Sequence, residues 1–159
     1  MPHTDPGPPP LSTGGRPERR LRELDEQECR RLLGTAVIGR IAFTEGALPA
    51  IQPVHFALIG DNVLIPTRPG SKVAAAAART VVAFEVDDFD VRLRTGWSVT
   101  AIGPSRLVTD PDDLAGLDAL GLAPWASTEQ PCFIAIRPGI WHGRRLVAPG
   151  GPETFGEPF

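Results

Sequence analysis

Hydrophobic and polar residues alternate along the middle of the chain with a period of two, which is typical of β-strands. The first such segment runs from Val37 to Phe43 and places its apolar and small residues on one face and Arg40 on the other. Similar segments predict strands at 50–59, 63–67, 81–87, 97–109, 132–137 and 140–147. Gly103-Pro104 predicts a break or bend in the longest of them. Pro66 predicts a strand end or an edge, because proline cannot donate to a sheet.

Three short helices are predicted from the residues at their starts. Asp25 followed three residues later by Glu28 is a capping-box pattern. Ser71 is a preferred N-cap residue before an alanine-rich run, and Asp110 starts a third helix in the same way. About six strands with a few short helices, and no regular alternation of the two, predict a mainly β (α+β) fold, a small antiparallel barrel with attached helices.

Proline and glycine are concentrated at both ends of the chain. Six prolines precede residue 20, and a segment of that composition has too little apolar surface to offset the entropy of ordering it. We therefore expect a disordered N-terminal tail over residues 1–20 and a loose C-terminal tail over 149–159. The 159 residues suffice for a single domain, which we place at 21–148.

Charge and cysteine content exclude several classes of function. The formal net charge of −3 provides no basic surface for nucleic acid and no polybasic patch for a membrane. The N-terminus lacks the apolar stretch of a secretory signal. Cys29 and Cys132 are too few for a disulfide framework and lack metal-ligand spacing, so both are predicted to be buried small hydrophobic residues. These features favour a cytoplasmic protein without a metal site.

The turn at residues 67–72 carries the most informative chemistry. Arg68 and Lys72 lie at the start of the predicted alanine-rich helix, where the helix dipole disfavours cations. A bound anion removes that conflict, because hydroxyl groups and two cations then converge on it. Lys72 is also the single lysine in a chain with sixteen lysine and arginine residues. The pattern favours a phosphate site, and the alternative is an ordinary helix start with solvated charges.

Several short motifs occur in an order that resembles a known family. They lie at residues 28–33, 38–43, 53–56, 70–72, 82–87, 96–99, 124–125 and 143–145. From about residue 24 to 146 the chain is similar to the pyridoxamine 5′-phosphate oxidase-like split β-barrel flavoproteins, in particular to the small bacterial subgroup of nitroimidazole-resistance-type reductases. The resemblance implies a split barrel and a homodimer that binds two FMN molecules in clefts between its subunits.

The resemblance also implies which residues contact FMN. The turn would hold the phosphate through Thr67, Ser71 and Lys72, and an extended segment would offer backbone groups to the polar edge of the isoalloxazine ring. That segment consists of Gln52, Pro53, Val54 and His55. Further expected contacts are Trp97 and Ser98 at the ring, Trp125 in the cleft, and Arg144 from the partner subunit. Without the family, Trp97 would be assigned to the core, His55 to solvent, and Glu85 and Asp87 to solvated strand ends.

One position departs from the subgroup. Its members commonly carry an arginine directly before the threonine of the phosphate turn, and here that residue is Pro66. Loss of a guanidinium removes a charge-assisted contact of about 1.5–3 kcal/mol. Arg68 is the residue that would replace it, although its side chain leaves the backbone at a different place.

The function implied by the resemblance is an FMN-dependent oxidoreductase that reduces a small molecule. No Ser/His/Asp or Cys/His constellation is present, and none is needed when a flavin performs the redox chemistry, so no catalytic residue is assigned. Pyridoxamine 5′-phosphate itself is not supported as substrate, since the sequence alone assigns no second cationic cluster to its phosphate. The alternatives are use of FAD or a deazaflavin coenzyme, and a non-catalytic carrier of flavin or of haem bound through His55 or His142. A dimer that has lost its cofactor is the remaining possibility.

Overall fold

A computed structural model describes residues 20–118, 121 and 132–148. In this part of the chain, nine strands and three helices are present. The elements are β1 (Arg20–Leu24), α1 (Glu26–Leu33), β2 (Ile38–Glu45), β3 (Leu48–His55), β4 (Ala57–Ile59), β5 (Asn62–Thr67), α2 (Lys72–Ala76), β6 (Thr80–Asp90), β7 (Thr95–Val108), α3 (Pro111–Asp118), β8 (Cys132–Ile136) and β9 (Ile140–Val147). No helix in the described residues has the length and apolar content that a membrane crossing requires.

The strands form one antiparallel sheet in the order β3-β2-β6-β7-β8-β5-β4, with β9 paired to β7 and β1 paired to β9. The sheet does not close on itself, because β3 and β4 do not pair with each other. A mainly β, split-barrel architecture with a few short helices is therefore confirmed. The strand count exceeds the six or so that the sequence predicts.

The split in the sheet occurs at Gly103 and Pro104. The first part of β7 pairs with β9 as far as Ile102, and the last part pairs with β8 from Ser105 onward. Of the predicted break or bend, a break is wrong, since β7 is continuous and stays in register with β6 through both residues. The turn between β8 and β9 crosses β7 there, where the N–H of Arg137 donates to the carbonyl of Pro104 at 3.0 Å.

The main core lies between the curved sheet and α1. Its largest fully buried side chains include Phe84, Ile41 and Ile65, and α1 contributes Cys29, Leu32 and Leu33. The helix can approach the sheet closely because β9 has Gly143 at the contact. A Cβ atom there would lie 2.4 Å from the Cys29 sulfur. The predicted capping box is present, with the Glu28 N–H donating to the Asp25 carboxylate at 2.8 Å.

Both cysteines are buried free thiols, as the sequence predicts. Burial raises the pKa of the Cys29 thiol and that of the Cys132 thiol. Because the thiolate is the reactive form, neither cysteine has the properties of a catalytic nucleophile.

A smaller second core lies on the opposite face of β5, β7 and β8, beneath α3. It consists of Leu64, Val108, Leu114, Phe133 and Ala135. Asp110 begins α3 as predicted, accepting from the N–H of Asp112 at 2.9 Å.

Several boundaries differ from the sequence prediction. The helix capped by Asp25 was predicted as the first element, but β1 precedes it, starts at Arg20 and pairs with β9. Val37 lies outside β2 and is 67% exposed, so it does not belong to the predicted inward face. The single strand predicted over 50–59 is two strands, separated at the buried Phe56. Most of the two predicted tails lies outside the described residues.

Candidate functional site

The turn after β5 brings two hydroxyl groups together. Thr67 is the last residue of β5 and is 7% exposed. Its Oγ1 lies 2.9 Å from the Oγ of Ser71. Ser71 is the N-cap of α2, as predicted, and its Oγ accepts the N–H of Ala74 at 3.1 Å. The cap bond and the short strand-to-helix turn therefore fix both hydroxyls in one place.

The two cations of this turn are exposed and accessible. Lys72 Nζ lies 3.2 Å from Glu45 Oε1 at the end of β2, and 84% of the Lys72 side chain is exposed. Exposed pairs of this kind contribute about 0–1 kcal/mol, so an incoming anion can replace the carboxylate at little cost. Arg68 is exposed, and within the described part of the chain it forms no ion pair.

The side chains of Pro66 and Thr67 lie on opposite faces of β5. Pro66 pairs with Phe133 in the second core, whereas Thr67 shares the orientation of Ile65 in the main core. The β4–β5 pairing has already ended at Leu64, so Pro66 has a strand neighbour on one side only, in agreement with its prediction as an end or edge residue. The proline therefore removes no side chain from the strand face that bears the Thr67 hydroxyl.

The segment Gln52–His55 belongs to β3, which is an edge strand of the described sheet. Pro49 and Pro53 have no N–H and must occupy positions whose backbone groups point away from β2. Because backbone orientation alternates, the N–H and C=O of Ile51 and the C=O of Pro53 point to the open edge. Those of Gln52 and Val54 point to β2. Ile51 is therefore a further candidate for backbone contact with a ligand, and it is absent from the residues that the sequence predicts.

The open edge and the phosphate turn lie beside one another. Glu45, which contacts Lys72, pairs with Leu48 at the start of β3. Gln52 is four residues farther along, about 13 Å at the usual rise of a strand. One elongated ligand can thus contact the turn at one end and the β3 edge at the other.

Trp97 and Ser98 lie on opposite faces of β7. Trp97 is half-buried and packs against the main core, and it also lines an open groove beside Arg145. Ser98 faces outward, where its register partners are Asp87 on β6 and Arg144 on β9. The structure thus brings Ser98 and Arg144 together. Both residues are separated from the phosphate turn of the same chain. The turn is near Glu45 at the end of β2, whereas Ser98 and Arg144 lie beyond Arg40, toward the start of β2. Trp125 lies outside the described residues.

An arginine–carboxylate cluster occupies the outer face of the sheet next to Ser98. Arg40 Nη1 donates to Glu85 Oε2 at 3.1 Å and also to Asp87 Oδ1. Burial raises the pKa of the Glu85 carboxyl, the nearby Asp87 charge raises it further, and the hydrogen bond from Arg40 opposes both. Glu85 and Asp87 are therefore partners of Arg40 and not simply solvated charges at a strand end. Sequence alternation placed Arg40 on this face but gave no sign of its partners.

Comparison with known proteins agrees with the family that the sequence resembles. The profile of the pyridoxamine 5′-phosphate oxidase family matches residues 25–145. An uncharacterized Mycobacterium tuberculosis protein, Rv0080, is 42% identical over 135 residues, which cover 82% of this chain and 88% of the relative. The structure of an FAD binding protein from Mycobacterium smegmatis is 36% identical with a TM-score of 0.70, covering 79% of this chain and 98% of that one.

A more distant structure shares the fold alone. It is a Bacteroides thetaiotaomicron protein described as a candidate for 5-nitroimidazole antibiotic resistance. It is 11% identical, with a TM-score of 0.67 and coverage of 81% of this chain and 89% of its own.

Proposed function

The chain belongs to the pyridoxamine 5′-phosphate oxidase family, and on that basis we propose that it is a flavin-dependent oxidoreductase that reduces a small molecule. The observation that carries the proposal is the turn at 67–72. Two hydroxyls 2.9 Å apart and two exposed cations adjoin an open strand edge there. This arrangement fits a ligand with an anionic tail and a planar polar head.

The residues fit a flavin phosphate in charge and in hydrogen-bonding capacity. Ser71 Oγ already accepts the Ala74 N–H, so its own hydrogen remains available to a phosphate oxygen. Thr67 can donate either to Ser71 or to the phosphate, and Lys72 and Arg68 supply two positive charges. Along β3, the outward N–H of Ile51 and the C=O groups of Ile51 and Pro53 suit the donor and acceptor edge of an isoalloxazine ring.

FMN is the flavin that the sequence predicts, and FAD is the alternative with the more direct support. The M. smegmatis relative is an FAD binding protein, with 36% identity over nearly its whole length. FMN and FAD share the isoalloxazine ring and the phosphate next to the ribityl chain, so the turn suits both. Mass spectrometry of the small molecule released from purified protein identifies which one is bound. A purified protein that is colourless and does not bind either added flavin would overturn the assignment.

When bound, the flavin supplies hydride or electron transfer. The chain's part is to fix the phosphate at the turn and to align the ring along β3. A carrier that binds flavin without turnover is the second candidate. It is favoured by the M. smegmatis relative, which is described as an FAD binding protein and not as an enzyme.

Steady-state oxidation of a reduced nicotinamide with an artificial electron acceptor distinguishes the enzyme from the carrier. We expect turnover in proportion to the bound flavin. Flavin that remains oxidised in the presence of excess NADH and NADPH would favour the carrier.

Absorbance spectra test for bound haem and for a deazaflavin, since haem has a Soret band and a deazaflavin lacks the long-wavelength flavin band. A cytoplasmic location remains the prediction of the sequence.

We also infer a homodimer, and the outer face of the sheet supports it. Five residues in direct register form an apolar row across β3, β2, β6, β7 and β9. The apolar row consists of Ile51, Ala42, Ala83, Ile102 and Ile140. Its two ends, Ile51 and Ile140, are 69% and 53% exposed. A continuous apolar strip on the surface of a folded domain is typical of an interface, and two-fold pairing of the same face would cover it in both copies.

Ile140→Lys is expected to convert the dimer to a monomer, because each copy would place a charge against the apolar row of the other. Size-exclusion chromatography with light scattering measures the change. Val91→Lys is the matched control, since Val91 is exposed in the β6–β7 turn, away from the row. A wild-type monomer, or an Ile140→Lys variant that remains dimeric, would contradict the assignment of this face.

A further inference from the structure

An open groove lies at the opposite end of β5 from the phosphate turn. Its volume is about 610 Å³, and its lining includes Asn62, Arg106, Ala135 and Arg137. Asn62 begins β5 and Thr67 ends it, so the groove and the turn are about 17 Å apart at the usual strand rise. The groove is therefore a separate feature from the candidate flavin site.

The groove is the uncovered continuation of the second core. Ala135 is 3% exposed and belongs to that core, whose other half is covered by α3. Ile59 and Pro104 add apolar surface to the lining. The groove thus has an apolar floor beside polar and charged walls, which is the usual composition of a small-molecule site.

The charge of the lining is positive. Arg106 pairs in register with Ala135, and Arg137 is two residues farther along the chain. This diagonal relation places the two arginines about 7–8 Å apart at the backbone. Within the described part of the chain neither forms an ion pair, whereas the one acidic residue of the lining, Asp61, is held by Arg30 at 3.1 Å. Two guanidinium groups therefore face the groove without a carboxylate to neutralise them.

We propose that this groove binds a small organic phosphate. Two guanidinium groups match the two negative charges of a phosphate monoester and can each donate two parallel hydrogen bonds to its oxygens. The Asn62 amide provides a further donor, and the apolar floor accommodates a compact carbon skeleton. The proposal does not depend on flavin binding at the turn.

Isothermal titration calorimetry of the full-length protein with phenyl phosphate tests the proposal. Wild-type protein should bind it, and Arg106→Gln and Arg137→Gln should each weaken binding at least about tenfold. Arg92→Gln is the matched control, because Arg92 is an exposed arginine in the β6–β7 turn, and it should leave binding unchanged. Benzyl alcohol, which has the ring but no charge, should not bind.

The same titration on Lys72→Ala distinguishes the groove from the flavin turn. Phenyl phosphate binding that survives in Lys72→Ala and is lost in Arg137→Gln supports the groove. Binding that is lost in Lys72→Ala and retained in Arg137→Gln would assign the ligand to the turn and overturn the proposal. No binding to wild-type protein, or equal binding of benzyl alcohol, would overturn it as well.

Discussion

Lys72→Ala is expected to weaken flavin binding by about 1.5–3 kcal/mol, or roughly tenfold to 150-fold in the dissociation constant. Lys72 is the cation at the start of α2, next to the Thr67 and Ser71 hydroxyls. A phosphate held at those hydroxyls would lose a charge-assisted contact in the variant. Fluorescence titration of apoprotein with FMN or FAD measures the change, because binding to the protein alters the emission of the flavin.

Two further variants make the Lys72 measurement specific. Glu45→Gln removes the acceptor of the lysine but keeps the cation, so flavin affinity should stay the same or increase. Arg92→Ala removes a positive charge in the distant β6–β7 turn and should have little effect, since screening weakens interactions between exposed charges beyond about 10 Å. A Lys72→Ala variant with wild-type affinity would show that this residue does not contact the phosphate.

Gly103→Ala is expected to destabilise the fold by about 1–3 kcal/mol, which is typical of overpacking, or to prevent folding altogether. A Cβ atom at this position would lie 2.1 Å from the carbonyl oxygen of Arg137. The contact is with backbone, and two hydrogen bonds hold that backbone in place, from Arg137 N–H to Pro104 and from Gly139 N–H to Ile102. The turn between β8 and β9 therefore cannot move aside without breaking the pairing at the split.

Gly116→Ala is the matched control for this prediction. Gly116 lies within α3, and a Cβ atom there would have no neighbour within 4 Å. Replacement of an exposed helical glycine by alanine should stabilise the protein by about 0.5–1 kcal/mol. Urea denaturation of the two variants should therefore show shifts of opposite sign. Equal stability of Gly103→Ala and the wild type would contradict the close crossing at the split.

Local signals predicted the helix starts well. The capping box at Asp25 and the N-cap at Ser71 depend on bonds between residues three apart, so the sequence contains the whole interaction. The last strand, Ile140–Val147, was also predicted with its observed bounds, because Pro138-Gly139 marks its start.

Features that depend on distant partners were predicted less well. Four of the five β1 residues are exposed, so no apolar periodicity marks a strand whose order comes from pairing with β9. The hairpin between β6 and β7 extends to Asp90 and Thr95, beyond the strands predicted at 81–87 and 97–109. Cross-strand hydrogen bonds stabilise this extension, and the residue types within it do not indicate them.

In the candidate site, too, local features were predicted and features that depend on distant partners were not. The chemistry of the turn at 67–72 was evident from Ser71 and from Lys72, the single lysine of the chain, since both lie within one local segment. The outward direction of the Ile51 backbone requires knowledge that β3 is an edge strand. The cluster of Arg40 with Glu85 and Asp87 depends on the register of β2 against β6, which is set by long-range packing.

The most direct test of the account compares FMN with riboflavin on the wild-type protein. The two ligands share the ring and the ribityl chain and differ only in the phosphate that the turn at 67–72 is proposed to hold. We expect FMN to bind at least about tenfold more tightly, in line with a charge-assisted contact. Equal affinities for FMN and riboflavin would show that the turn does not bind the phosphate and would contradict the account.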